Sequence, residues 1–214
     1  MVDKILLTGF EPFGGEEINP SWEAVSRLQG RAVDNAVIES RLMPVSWERC
    51  GPAVKDAIAE VDPVVVIMVG QAGGRPAFSL ERVAVNLQEG SAGDNDGVRR
   101  EGEPIEADGP AAYLSTLPVR DIHAELLDEG IPSLISNSAG LYLCNYIFYA
   151  ARHQVERLGD ERGVPVPTGF VHIPFAPQQV AARIRNKKGA AASMAMETIA
   201  GGLTVAARVT LRRL

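Results

Sequence analysis

The sequence is poor in the residues that would announce a chemistry at once. Of its 214 residues only two are cysteine, Cys50 and Cys144, and three are histidine. Neither cysteine belongs to a C-x-x-C pair and the histidines are widely separated, so no metal-ligand set is suggested. With two thiols and no secretion signal in MVDKILLTGF, a disulfide framework is not expected, and free cysteines in a reducing cytoplasm are. An excess of positive charge is missing too: 21 Lys and Arg stand against 27 Asp and Glu, a formal net charge of −6. The basic residues are scattered except from Arg183 to Lys188, which argues against nucleic acid as a partner and for small molecules or peptides. Long apolar runs are absent as well. The Ala-rich stretch from Ala190 to Leu211 carries Glu197, Gly201, Gly202 and Arg208, so it is expected to pack as a helix and not to span a membrane.

Several familiar catalytic signatures are also lacking. The stretch from Thr8 to Gly15, TGFEPFGG, follows an apolar run as a phosphate loop would, yet Gly15 and Glu16 occupy the places of the P-loop lysine and hydroxyl. The dinucleotide spacing G-x-G-x-x-G does not occur, and no G-x-S-x-G elbow marks a serine nucleophile. A nucleoside-processing enzyme on a similar scaffold would want a basic phosphate-binding group in these glycine loops, and none is evident.

What the chain does contain is an alternation of short Val- and Ile-rich runs with segments of helical period. That is the pattern of a mostly parallel sheet covered on both faces, in a single domain over residues 1–214. Strands are expected at Lys4 to Gly9, Ala36 to Pro44, Val64 to Val69, Arg82 to Leu87, Ser133 to Asn137 and Gly169 to Pro174. Asn19 is placed to cap a helix that opens at Pro20 and runs through Leu28. Further helices fit Trp47 to Glu60, Val119 to Glu129, Leu141 to Leu158 and much of Ala190 to Arg212. The polar, glycine-rich segment from Glu89 to Glu103 is long for a connection and reads as a solvated loop or a lid.

In open α/β sheets ligands bind outside the carboxyl ends of the strands. Four loops or strand ends meet that description: TGFEPFGG, VGQAGG, SNSAGLYLCN and the strand bearing His172. Cys144 falls in the first turn of a helix, where unpaired N–H groups and the positive dipole end favour a thiolate and could serve an oxyanion. Taken alone it would also pass as a small apolar core residue, sharing a stripe with Ala151 and Val155. Its base must be a histidine. His153 lies on the far side of the same helix, and His123 belongs to a charged, surface-like segment. His172, in GFVHIPF, emerges close to the Cys144 loop and is the preferred partner. The group that orients the imidazole is open among Glu81 in FSLERVAVNL and Asp94, Asp96 and Asp108 in the polar excursion.

Taken together, LLTGFEPFGG with INPSWEAV, VGQAGGR, SLERVAVN, GEPIEADGPAAYLSTLP, SNSAGLYLCNYIFYAARH and GFVHIPFAPQQ resemble, in order, the pyrrolidone carboxyl peptidase family of cysteine peptidases. The resemblance implies a three-layer α/β/α fold of the phosphorylase/hydrolase type, commonly a homotetramer, needing no metal or organic cofactor. It implies removal of N-terminal pyroglutamate from peptides by Cys144, His172 and Glu81. Phe10 and Phe13 would flank the lactam ring, Gln71, Tyr142 and Leu143 would complete the pocket, and Asn19 would tie down the first loop. A lactam carries no charge, so its pocket should be apolar with a few polar groups. Ser91 departs from the family, which commonly has an arginine there, and Leu141 replaces a residue that is often small and polar. The serine motivates a second expectation, a relative that binds pyroglutamyl ligands with weak or no hydrolysis.

Overall fold

In the computed structural model, which describes residues 2–162 and 165–214, the chain forms a mixed α/β domain around a seven-stranded sheet. The sheet strands are β1 (Asp3–Phe10), β2 (Ala32–Val33), β3 (Ala36–Met43), β4 (Val65–Gln71), β5 (Phe78–Glu81), β10 (Ser133–Ser136) and β11 (Thr168–Ile173). Their order is β10-β5-β11-β4-β1-β3-β2, and neighbours run parallel except at β5–β11 and β2–β3. The remaining strands form two small ribbons, β6 (Val83–Val85) with β9 (Ala112–Leu114), and β7 (Gln88–Gly90) with β8 (Arg100–Glu103).

Side-chain alternation on the central strands explains the three layers. On β4, Val65, Ile67 and Val69 enter one core while Val66 and Met68 enter the other. Both faces of a central strand are buried, so it reads as a continuous apolar run, VVIMV. One core is closed by α1 (Pro20–Ser26), α3 (Val119–Asp128) and α6 (Met196–Leu211), the other by α2 (Cys50–Val61) and α4 (Leu143–Arg162). A sixth helix, α5 (Pro177–Arg185), follows β11.

Several expected boundaries shift. The strand expected from Arg82 to Leu87 is not part of the main sheet: the sheet strand is Phe78–Glu81, just before it, and Val83–Val85 turns away to pair with β9. The helix expected from Trp47 begins at Cys50, after a turn at residues 47–49. The last helix opens at Met196, because Met194 N–H bonds the Phe175 carbonyl and Ser193 forms a bridge with Phe175, which keeps this stretch extended. Helix α5 was not anticipated, being short and polar, and the two ends of the Glu89 to Glu103 segment pair as the β7–β8 ribbon.

Candidate active site

The same alternation selects which side chains can meet. On β11, His172 shares its face with Phe170, which belongs to the core under α2 and α4. On β5, Phe78 and Leu80 point to the opposite core, so Ser79 and Glu81 point to the α4 side. On β4, Gly70 has the parity of Met68, and its register partner is His172. Glu81 stands opposite Phe170, two residues from His172 along β11, a diagonal that a glutamate can span.

The first turn of α4 covers this spot. Its first backbone bond is from Tyr146 N–H to the Tyr142 carbonyl, so the preceding N–H groups have no acceptor within the helix. Cys144 is the second residue of that helix. Gly70 is where the sheet makes room for it: a Cβ there would lie 3.0 Å from the Cys144 Sγ and 2.7 Å from Phe170 Cζ. Three strands and one helix start therefore bring Cys144, His172 and Glu81 together.

The electrostatics follow from burial. The His172 Nδ1 lies 2.8 Å from the Glu81 Oε1, and both residues are buried. Burial by itself disfavours the imidazolium, but Cys144, by charge and by hydrogen bond, and Glu81 outweigh it and raise the His172 pKa to about 9. Glu81 has no exposed surface, and its charge is compensated by a second cation: Arg75 Nη1 donates to the same Oε1 at 2.9 Å. The other oxygen, Oε2, has no hydrogen-bond partner among the described residues. The other candidate carboxylates go elsewhere. Asp94 accepts from the backbone N–H groups of Trp47, Asp96 and Val98, Asp96 pairs with Arg49, and Asp108 is exposed. His123 bonds Ser133 and His153 bonds the Tyr113 hydroxyl, both away from Cys144.

Beside the thiol, Phe10, Phe13, Asn19, Val45, Gln71, Tyr142, Leu143 and Cys144 line one small cavity of about 20 Å³. It gathers every residue expected at the pocket and adds Val45. A larger groove of about 600 Å³ between α1 and α5, lined by residues such as Glu16, Arg27 and Arg183, holds neither thiol nor histidine.

The walls of the small cavity are tied from several sides. Asn19 caps α1 through the Ser21 N–H and donates to the Glu11 carbonyl, while the Phe10 N–H bonds Ser21 Oγ. The turn beyond Phe13 relies on Gly14 and Gly15 at φ 63° and 77°, a region that suits glycine. Glu11, for which the sequence offered no role, accepts from the Val45 N–H and from Asn95. Asn95 also donates to the Pro12 carbonyl, and Tyr142 donates its hydroxyl to the Gly93 carbonyl. Burial first, then Asp94 and Cys144, push the Tyr142 pKa up to about 12, which keeps that hydroxyl a donor. The segment from Glu89 to Glu103 thus clamps the pocket, although Ser91 itself is exposed. Arg75, Gly70 and Asn95 escaped sequence reasoning. Gly70 and Arg75 left a trace only as members of VGQAGGR, and Asn95 only as part of the polar segment from Glu89 to Glu103.

A cysteine at a helix start whose first N–H groups lack a helical acceptor, a buried imidazole and a buried carboxylate beside an apolar cavity form the equipment of a cysteine-type hydrolase. Residues 3–213 match the family described as Pyroglutamyl peptidase. The chain is 42% identical over 210 residues to a pyrrolidone-carboxylate peptidase of Bacillus licheniformis, covering 98% of this chain and 93% of that protein. It is 40% identical to one from an Enterobacter species, with 98% and 93% covered. Among solved structures, a mutant pyrrolidone carboxyl peptidase from Pyrococcus furiosus superposes with a TM-score of 0.93 at 40% identity, covering 99% of both chains. The chain therefore belongs to the pyroglutamyl peptidase family.

Proposed function

We propose that the protein is a cysteine peptidase that removes an N-terminal pyroglutamyl residue from peptides, with Cys144 as nucleophile, His172 as acid and base, and Glu81 as orienting carboxylate. The observation that carries this reading is the line from Arg75 through Glu81 and His172 to Cys144, ending at the cavity between Phe10, Phe13 and Tyr142. His172 holds the proton given up by the Cys144 thiol. The thiolate attacks the pyroglutamyl carbonyl, and the oxyanion is held by N–H groups at the start of α4. His172 returns the proton to the leaving amine, a thioester remains on Cys144, and water attacks it with His172 again as base. Glu81 holds the imidazole with Nδ1 toward the carboxylate and stabilises its cation.

The substrate reading follows from the walls. Phe10, Phe13, Val45 and Leu143 offer an uncharged surface suited to a lactam. The cavity is small, about 20 Å³, and the half-buried Phe13 and Tyr142 belong to its lining. The family resemblance adds a homotetramer to this reading and the two free thiols add a cytoplasmic location, and no described helix is long and apolar enough to cross a membrane.

The test is release of a chromogenic amine from a pyroglutamyl amide, with the free glutamyl amide as control. Turnover of the first alone is expected, and its loss in Cys144→Ala and His172→Ala. Binding of the pyroglutamyl compound without turnover would replace the peptidase by the binding-protein reading that Ser91 motivates.

A further inference from the structure

The orientation of one side-chain amide in the pocket is set by a chain of hydrogen bonds that begins at a backbone donor. In α5, Gln179 is buried, and its Oε1 accepts from the Ala176 N–H at 3.0 Å. A backbone N–H can only donate, so this bond fixes which end of the Gln179 amide is oxygen. The other end, Nε2, then faces acceptors: the Ile18 carbonyl at 3.4 Å, the Glu16 carboxylate at 3.3 Å and Gln71 Oε1 at 3.0 Å. Gln71 is the last residue of β4 and lines the cavity beside Cys144. With its oxygen held by Gln179, the arm left for a ligand is its NH₂, which makes no hydrogen bond among the described residues.

We propose that Gln179 is a positioning residue for specificity: it turns Gln71 into an obligatory donor, which recognises the lactam carbonyl of the substrate. This rests on the pyroglutamyl reading above and deepens it. A prolyl ring of the same shape has no oxygen to accept that bond and leaves a pocket donor unpaired. Sites built to hydrogen-bond a substrate group reject analogues lacking it more strongly than apolar pockets reject a change of size. The lactam is thereby read by a polar relay reaching from α5, and the aromatic walls supply only shape.

Gln179→Glu removes the donation to Gln71 together with those to Ile18 and Glu16, so it is read beside Gln71→Glu, which leaves Gln179 and its other bonds in place. A glutamate at this position keeps the capping bond from Ala176 N–H, because either Gln or Glu serves there. It cannot donate to Gln71, whose amide must turn its NH₂ toward position 179 and its oxygen toward the ligand carbonyl. The expected result is a KM for a pyroglutamyl amide raised by about 10- to 100-fold with kcat within about threefold. Inhibition by 2-pyrrolidone should weaken in parallel. An unchanged KM in a folded Gln179→Glu protein would overturn the relay while leaving the peptidase reading intact, whereas no turnover by the unaltered protein would overturn that reading itself. Should Gln179→Glu fail to fold, Gln71→Glu gives the test from the other side, since a carboxylate held by Gln179 offers the ligand only oxygen. Unchanged KM and 2-pyrrolidone inhibition there would equally overturn the proposal.

Discussion

The two cysteines sit under the same face of the sheet, each within the first two residues of a helix, yet their surroundings differ in every respect that matters for chemistry. Cys50 opens α2 after a turn that already occupies its N–H, which bonds the Ser46 carbonyl at 2.9 Å. It is fully buried, and burial pushes its thiol well above the ordinary value, with Cys144 and Glu11 adding in the same direction. Cys144 lies in a helix start whose N–H groups before Tyr146 have no acceptor within the helix, with His172 as partner and a cavity alongside. A helix start is therefore not sufficient to make a nucleophile. What distinguishes Cys144 is the partner that the sheet delivers to it and the space left in front of it.

The widest gap between the two thiols should appear in turnover. Cys144→Ala is expected to lower kcat/KM on a pyroglutamyl amide by about 10⁴-fold or more, while Cys50→Ala stays within a few fold and costs about 1 kcal/mol of stability from lost packing. A comparable loss in both would erase the distinction. Next comes the partner. Glu81→Gln keeps the shape but leaves His172 without its charged acceptor, and a fall in kcat of about 10²- to 10³-fold is expected with KM little changed. Space in front of the thiol is tested by Gly70→Ala, whose methyl would crowd Cys144 and the Phe170 ring. A displaced nucleophile should reduce kcat by about 10- to 100-fold. Wild-type rates in this variant would show that the close approach of β4 is incidental.

A smaller effect is expected from the charge of His172. Its pKa is raised from 6.5 to about 9, so the folded protein holds this proton more tightly than the unfolded chain. The resulting stabilisation is fully present below about pH 6.5 and is lost as pH rises through about 9. The Tm of the wild-type protein should therefore fall across that window more steeply than that of His172→Gln, and kcat/KM should decline above about pH 9 as the acid for the leaving amine is lost. Parallel Tm slopes would contradict the assigned charge. Asn95→Ala, which removes the clamp on Glu11 and the Pro12 carbonyl, should raise KM only several-fold.

Much of this was legible in the sequence because it depends on local pattern. Val- and Ile-rich runs marked five of the sheet strands, and the helix after SNSAG placed Cys144 at a terminus. The alternation in SLERVAVN continues smoothly past Glu81, so nothing local showed that the sheet strand stops there and a separate ribbon begins. Glu81, His172 and Cys144 lie on three different elements, and the ordered motifs of the family, not spacing, singled them out from Asp94, Asp96 and Asp108. Asp94 proved to organise a turn through three backbone donors. Glu11, Asn95 and Gln179 were opaque for a common reason: each acts through partners distant in the chain, Asn95 meeting Glu11 and Gln179 meeting Gln71 only in the folded protein.

The contrast between the two thiols can be measured in one labelling experiment. A pyroglutamyl chloromethyl ketone carries the proposed recognition group and an electrophile at the position of the scissile carbonyl. Peptide mapping after stoichiometric labelling should place the adduct on Cys144 alone, with protection by 2-pyrrolidone and no label on Cys50. An adduct on Cys50, or no adduct on Cys144 in folded protein, would contradict the assignment of the nucleophile and its pocket.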